Sequence, residues 1–384
     1  MEESPIRTGS STNADASTAV DQLSDSIVTD DTGTVIFFCS PEYDLEQLSS
    51  ALSDRLGHLN VIGCTTAGEI TPQGYLSGSL TGISLPKNDF TVETVCIDQL
   101  GSIDLQRAGS LVSDARFSLS KRTGTTLTPE NTFGLLLVDG MSLREEILAA
   151  GVNSAISGLP MFGGSAADGT NFGTTWVYCN GCFQTDTAVF SLVHTRYAFE
   201  VFKTEHYTGA SDTHVVTSAD PSRRIVWEID GYPAAEAFAD MVQKRVIDLC
   251  PTTFANNPLV VRVGGHDYVR SIQKVVDDLG LMFYCAIEEG IVLKRAEKGE
   301  MLANLQQTLD SLRQKLGSIN LVIGCDCILR NLEADRLGFK TELGELMAAN
   351  RMIGFSTYGE QLGGMHINQT LTGIAFGESI KPST

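Results

Sequence analysis

The sequence predicts a mixed α/β protein built of two related layered domains, with a ligand cleft between or within them. Three observations predict it. Short β-branched and aromatic runs alternate with helix-spaced leucines from residue 35 onward. A glycine-bearing strand and turn near residue 63 returns near residue 354. The length of 384 residues also suits two domains.

Val35-Ile-Phe-Phe-Cys39 is a continuous apolar run and reads as a buried strand. Leucines at 45, 48, 52 and 56 fall on one face of a helix. Asn60-Val-Ile-Gly63 is the next strand, which completes a strand–helix–strand unit. Strands over 79–85 and 90–97, a helix over 105–120, a strand over 132–138 and a helix over 143–155 follow. Farther on, helices are expected over 233–250 and 297–316, and short strands around both. Met1 to Asp30 is rich in Ser, Thr and Asp, so residues 1–30 are expected as a mobile tail with a short helix over 19–28. The domains are then expected at 31–220 and 221–384.

The repeat is ungapped. Gly63-Cys-Thr-Thr-Ala-Gly-Glu69 matches Gly354-Phe-Ser-Thr-Tyr-Gly-Glu360, and Leu80-Thr-Gly-Ile83 matches Leu371-Thr-Gly-Ile374 at the same offset. Glycines at such turns allow positive φ and close approach of backbones. Tyr75 holds the place that His366 holds in the second copy.

The formal net charge of −20 argues against a nucleic-acid or anionic-membrane partner. No run approaches the roughly 18 apolar residues of a membrane span, and the N-terminus lacks the apolar core of a signal peptide. The nine cysteines are read as reduced thiols of a cytoplasmic protein. Cys325-Asp-Cys327 and Cys179-Asn-Gly-Cys182 lie too far apart in sequence to suggest a zinc site. A redox role for Cys179 and Cys182 has no adjacent basic residue to support it. Neither a P-loop nor a nucleophile elbow occurs, so the protein is expected not to be an enzyme. Acid–base catalysis by Glu69 or Glu360 remains open as the rival.

Val61-Ile-Gly-Cys-Thr-Thr-Ala-Gly-Glu69 resembles the signature of the FIST N domain. Ile229-Asp-Gly-Tyr-Pro-Ala-Ala235, Ile353-Gly-Phe-Ser-Thr-Tyr-Gly-Glu360 and Asn368-Gln-Thr370 resemble the start and end of the FIST C domain. That resemblance implies a sensory module that binds a small ligand. A narrower likeness, to stand-alone nitric-oxide-sensing haem proteins, lies in Val269-Arg-Ser-Ile272, Phe283-Tyr-Cys-Ala-Ile-Glu-Glu-Gly290, Gly324-Cys-Asp-Cys-Ile-Leu-Arg330 and Tyr358-Gly-Glu-Gln361. It implies haem b held by histidine, a diatomic gas as ligand, and a separate histidine kinase or cyclic-di-GMP enzyme as partner; a homodimer is also open.

Haem iron most often takes an imidazole. Of the six histidines, His206 is the first choice and His366 the second. His206 lies near the expected junction of the domains, and His366 lies beside the repeated glycine motif. Arg270 and Arg330 are candidates to grip a propionate or another carboxylate, and Tyr358 offers a flat face to a pocket. Each of these residues also has an ordinary reading: a surface or structural histidine, a local salt bridge, a core tyrosine. If haem is absent, the alternative is a FIST sensor for an amino acid or similar metabolite.

Overall fold

The computed structural model describes residues 5–263 and 265–379. It is a mixed α/β structure of two compact units, each discontinuous in sequence. The larger runs up to Thr204 and resumes over Leu305–Met365 and from Leu371 on; the smaller is Glu205–Asn304 with His366–Thr370.

The larger unit is made of one motif used three times. Each copy has an edge strand, a helix, a strand, one or two helices, a second strand parallel to the first, a hairpin, and a last strand antiparallel to the first. In the first copy the parallel pair is Thr32–Cys39 with Asn60–Thr65. In the second it is Thr132–Val138 with Met161–Ser165. In the third it is Leu321–Cys327 with Met352–Thr357. The returning strands Leu80–Pro86, Ala188–Thr195 and Thr370–Ser379 pair antiparallel with the first strand of their own copy.

The hairpins do not stay in their own sheets. The strand Glu69–Thr71 of the first copy pairs with Met352–Thr357 of the third. The strand Val177–Cys179 of the second pairs with Asn60–Thr65 of the first. The strand Glu360–Leu362 of the third pairs with Met161–Ser165 of the second. The exchange is therefore cyclic, and each of the three six-stranded sheets contains chain from two copies. Backbone bonds close the same circle: Ala67 N donates to Ser356 O, Ala167 N to Thr65 O, and Tyr358 N to Ser165 O, at 2.9, 2.9 and 3.4 Å.

Three equivalent glycines permit this closeness. A Cβ on Gly63, Gly163 or Gly354 would lie 2.5, 1.9 or 1.8 Å from the carbonyl oxygen of Phe37, Leu136 or Gly324, its own register partner on the neighbouring strand. Side chains from all three copies fill the space within: Phe38, Phe133, Phe162, Phe355 and Phe376 are buried together, with Phe38 stacked on Phe355 at 4.5 Å. Full burial of each such ring is worth about 1.5–3 kcal/mol.

The smaller unit falls between the third copy's edge strand, Tyr197–Glu205, and its helix, Met301–Leu316. It holds a nine-stranded, mainly antiparallel sheet and the short helices Ala234–Met241 and Pro251–Asn256.

Three sequence expectations are corrected. Within the expected tail, Arg7–Ser11 is an edge strand on Leu80–Pro86, and Ala16–Ile27 is a helix that buries Ala19, Val20, Leu23 and Ile27. An edge strand needs only backbone donors and acceptors, so Gly and Ser serve without an apolar pattern. Asp15 caps the helix by accepting from Thr18 N. Met1 to Ser4 lie outside the described residues. The helix expected over 233–250 stops at Met241, and Gln243 takes φ 55°. The helix expected from residue 297 starts at Met301 because Lys298 and Glu297 are held in a strand opposite Tyr207 and Thr208.

The two glycine motifs that match in sequence, at residues 63–69 and 354–360, both belong to the larger unit. The second copy, Gly163-Gly-Ser-Ala-Ala-Asp-Gly169, stands between them and has lost the Thr and Glu of the other two.

Gly163→Ala should leave little folded protein, since backbone must move by more than an ångström. Gly109→Ala, in the helix Leu105–Thr123 with no atom nearer than 3.7 Å, should instead raise stability by up to about 1 kcal/mol. Urea denaturation of the two variants distinguishes a backbone clash from ordinary glycine flexibility.

Candidate functional site

A cleft of about 360 Å³ opens in the larger unit where the parallel strands of the first copy end. Ligands of open α/β sheets lie characteristically at the carboxyl ends of strands, where neighbouring connections diverge. Here the diverging segments are Ser40-Pro-Glu42, which leads to the helix Leu45–Leu56, and Thr66-Ala-Gly-Glu69, which crosses to the next sheet. The opposite wall is the helix Ile328–Leu337, through Asn331, Leu332 and Asp335, with Lys340 from the first turn of the following helix. Asp168 to Asn171 close one side.

That last loop is longer in the second copy than in the others. Asp168 shapes it: its carboxylate accepts from Gly173 N and Thr174 N, each at 2.9 Å, and from the Tyr358 hydroxyl. Tyr358 in turn accepts from Phe172 N at 3.1 Å and stacks on the Phe172 ring at 4.5 Å. Burial and the bond to Asp168 push the Tyr358 hydroxyl well above its ordinary range, so it stays a donor.

Glu69 forms part of the cleft floor and is buried. Its carboxylate accepts from Ser79 N and Oγ at 3.1 and 2.6 Å and from the Thr66 hydroxyl. Burial pushes its pKa up to about 7 despite these bonds, and Glu42 adds to the rise. Next to the floor is a second buried network. Arg330 Nε donates to Asp326 Oδ1 at 2.6 Å, both side chains fully enclosed, and Tyr75 donates its hydroxyl to Asp326 Oδ2. Against the burial that would lower it, the Asp326 carboxylate holds the Arg330 guanidinium above its usual pKa. Lys340 lies over the Tyr75 ring, 5.7 Å from its centre.

The residues expected from sequence divide between the units. Arg330 and Tyr358 belong to the larger, and they support the cleft: Arg330 through Asp326 and Tyr75, Tyr358 through Asp168. His206, His366 and Arg270 belong to the smaller. His206 is buried with its ring 4.3 Å from that of Tyr207. His366 is buried in the strand Met365–Ile367. Arg270 donates to Val269 O at 3.2 Å. None of the three lines a described cleft. The side chain of His266 lies outside the described residues. Cys325 and Cys327 are buried thiols in a strand, and no group of metal-ligand side chains occurs among the described residues.

The reading of every cysteine as a reduced thiol is corrected: Cys96 and Cys179 form a disulfide. The edge strand Phe90–Ile97 brings Cys96 to the hairpin of another sheet, a proximity that no local pattern encodes. Sequence reasoning also missed Asp168, Asn331 and Lys340. The available signal for Asp168 was the degenerate second copy of the repeat.

Residues 33–232 match the FIST N domain and residues 234–362 the FIST C domain. The chain belongs to the FIST family. FIST domains are those of signal-transduction proteins that sense small ligands. An uncharacterized protein of Methanocaldococcus jannaschii is 22% identical to this FIST protein over 383 residues, covering 89% of this chain and 73% of its own. A crystal structure of cyanuric acid hydrolase from A. caulinodans aligns with 97% of this chain and 99% of its own, at 9% identity and a TM-score of 0.35. At that score the likeness says nothing of fold or activity. No helix among the described residues is long and apolar enough to cross a membrane.

Glu69 gives the cleft a measurable pH signature. Its folded pKa, about 7, lies above the ordinary glutamate value of 4.5, so the folded state holds a proton that the unfolded chain releases. Its contribution to stability is full below pH 4.5 and is lost as pH rises to about 7, with a total on the order of 3 kcal/mol. The difference in urea midpoint between wild type and Glu69→Gln, followed from pH 4 to 8, should therefore favour Glu69→Gln increasingly across that window.

Proposed function

We propose that this FIST protein senses a small zwitterion of the amino-acid type, bound in the polar cleft above Thr32–Cys39 and Asn60–Thr65. The observation that carries the proposal is the placement of opposite charges around one small cavity. Lys340 stands on one wall, and Glu42 and Asp335 stand at the rim. An ammonium on the protein pairs with a ligand carboxylate, and protein carboxylates take a ligand ammonium. The volume, about 360 Å³, lies at the small end of ligand cavities. Gly68 and Gly169, both at positive φ, keep side chains out of the approach to the backbone.

Recognition rather than turnover is the reading the side chains favour. Glu69, the candidate base, is held by Ser79 and Thr66 within its own copy of the motif. Signalling would follow from the bound ligand biasing the loop Asp168 to Trp176 between two arrangements, by its differential affinity for them. The output would go to a separate histidine kinase or cyclic-di-GMP enzyme in the cytoplasm. Haem b, with nitric oxide as its ligand, fits the structure less well. The candidate axial ligands His206 and His366 are buried and line none of the described clefts.

Thermal unfolding in the presence of each of the twenty amino acids tests the proposal. At about one hundred times its Kd a ligand stabilises by about 2.7 kcal/mol, a rise in Tm of several degrees. At least one amino acid should give that rise, with affinity at least tenfold weaker in Lys340→Ala. If none does, the proposal fails. A stoichiometric Soret band on adding haemin, lost in His206→Ala or His366→Ala, would put the haem reading in its place.

A further inference from the structure

We propose that Cys96, Cys179 and Cys182 form a thiol–disulfide exchange site whose reactant is a low-molecular-weight thiol. Three cysteines share two oxidising equivalents here, and Cys182 is the most exposed of them. The disulfide joins Cys96, on the edge strand Phe90–Ile97, to Cys179, on the hairpin strand Val177–Cys179 of a different sheet, with a Cα–Cα distance of 6.3 Å. Cys179 is 1% exposed, so a thiol in solution does not reach its sulfur, and Cys96 is half-buried.

Cys182 is exposed, and it is the register partner of Cys179 across a two-residue turn. Asn180 at φ 53° and Gly181 at φ 84° make that turn. Side chains of directly opposed residues lie on the same face of a hairpin. Their Cα atoms stand roughly 5.5 Å apart at a hydrogen-bonded pair, inside the window of about 4.4–6.8 Å that a disulfide accepts. One donor marks the shared face: Gln184 Nε2 lies 3.7 Å from Cys179 Sγ and 3.4 Å from Cys182 Sγ. The hairpin thus offers Cys179 a second partner at the spacing that a disulfide accepts.

The exchange balances without an outside oxidant. Cys182 loses its proton to solvent, and its thiolate attacks Cys179 Sγ. A Cys179–Cys182 bond forms, the Cys96–Cys179 bond breaks, and its electron pair leaves on Cys96 Sγ, which takes a proton from water. Cys182 is oxidised and Cys96 is reduced. The new disulfide includes the exposed sulfur of Cys182. A small thiolate attacks that sulfur to form a mixed disulfide and releases Cys179 as a thiolate. A second small thiol then frees Cys182 and departs as the oxidised dimer. In sum, one protein disulfide becomes two thiols and two small thiols become one disulfide. The cross-link between two sheets is opened through a residue at the surface.

The test follows Cys96 alkylation in the full chain, purified without reductant. Reduced glutathione is added, portions are quenched with iodoacetamide over time, and labelling at Cys96 is read by peptide mass spectrometry. Wild type should expose Cys96 at least tenfold faster than Cys182→Ser. Because Cys182 is exposed, the serine variant should keep the wild-type circular dichroism spectrum and the Cys96–Cys179 bond. Equal rates in the two proteins would overturn the proposal, as would Cys96 already labelled in both before glutathione is added, or labelled in neither afterwards.

Discussion

The larger unit depends on a ring of backbone hydrogen bonds in which each copy of the motif completes its neighbour. Ala67, Ala167 and Tyr358 each donate an N–H to the strand end of another copy, and the hairpins cross over in the same sense. Buried backbone groups must find partners. Here the ends of the second parallel strands, at Thr65, Ser165 and Ser356, find their partners on another copy. The strands can meet this closely because glycine occupies the equivalent positions 63, 163 and 354. Any Cβ there would sit against a carbonyl oxygen of the adjacent strand.

The cleft is a by-product of that circle and of its imperfection. A strict threefold unit would place the same turn at each of the three strand ends. The second copy departs from it, with a longer loop tied down by Asp168 and stacked, through Phe172, on Tyr358 of the third copy. The third departs too, with two helices, Ile328–Leu337 and Lys340–Ala349, between its parallel strands. Those departures supply the walls of the cavity and its Lys340. The buried Asp326–Arg330 pair shows how exacting the surroundings are. Two enclosed charges are tolerated only with close geometry and further hydrogen bonds, and Tyr75 from the swapped hairpin of the first copy supplies one.

Much of this was legible in order of chain. The first parallel strand pair, the helix leucines at 48, 52 and 56 and the matched motifs at 63 and 354 appear where the sequence places them, whereas Met161–Ser165, which reads as a glycine turn, is a strand parallel to Thr132–Val138. Arg330 and Tyr358, chosen as ligand contacts, prove to be supports one step behind the cleft. Side-chain chemistry marks a residue as notable but does not say whether it faces a ligand or a neighbour. The second copy was hidden because its Thr and Glu are replaced and its loop is longer, leaving only Gly163-Gly-Ser165 as a trace. The first edge strand was hidden because backbone pairing asks little of side chains.

The amino-acid sequence by itself determined the α/β class, the strand and helix order of most of the chain, and the glycine positions on which the strands close. These follow from periodicity and from backbone freedom, which are local properties. Tertiary structure alone decided that the repeat is threefold and that hairpins are exchanged. It also decided that Cys96 meets Cys179 and that Glu42, Asp335 and Lys340 surround one cavity. Those facts join residues dozens to hundreds of positions apart, and no local pattern carries the distance between them. They are fixed only when each copy takes its missing hydrogen bonds from the next.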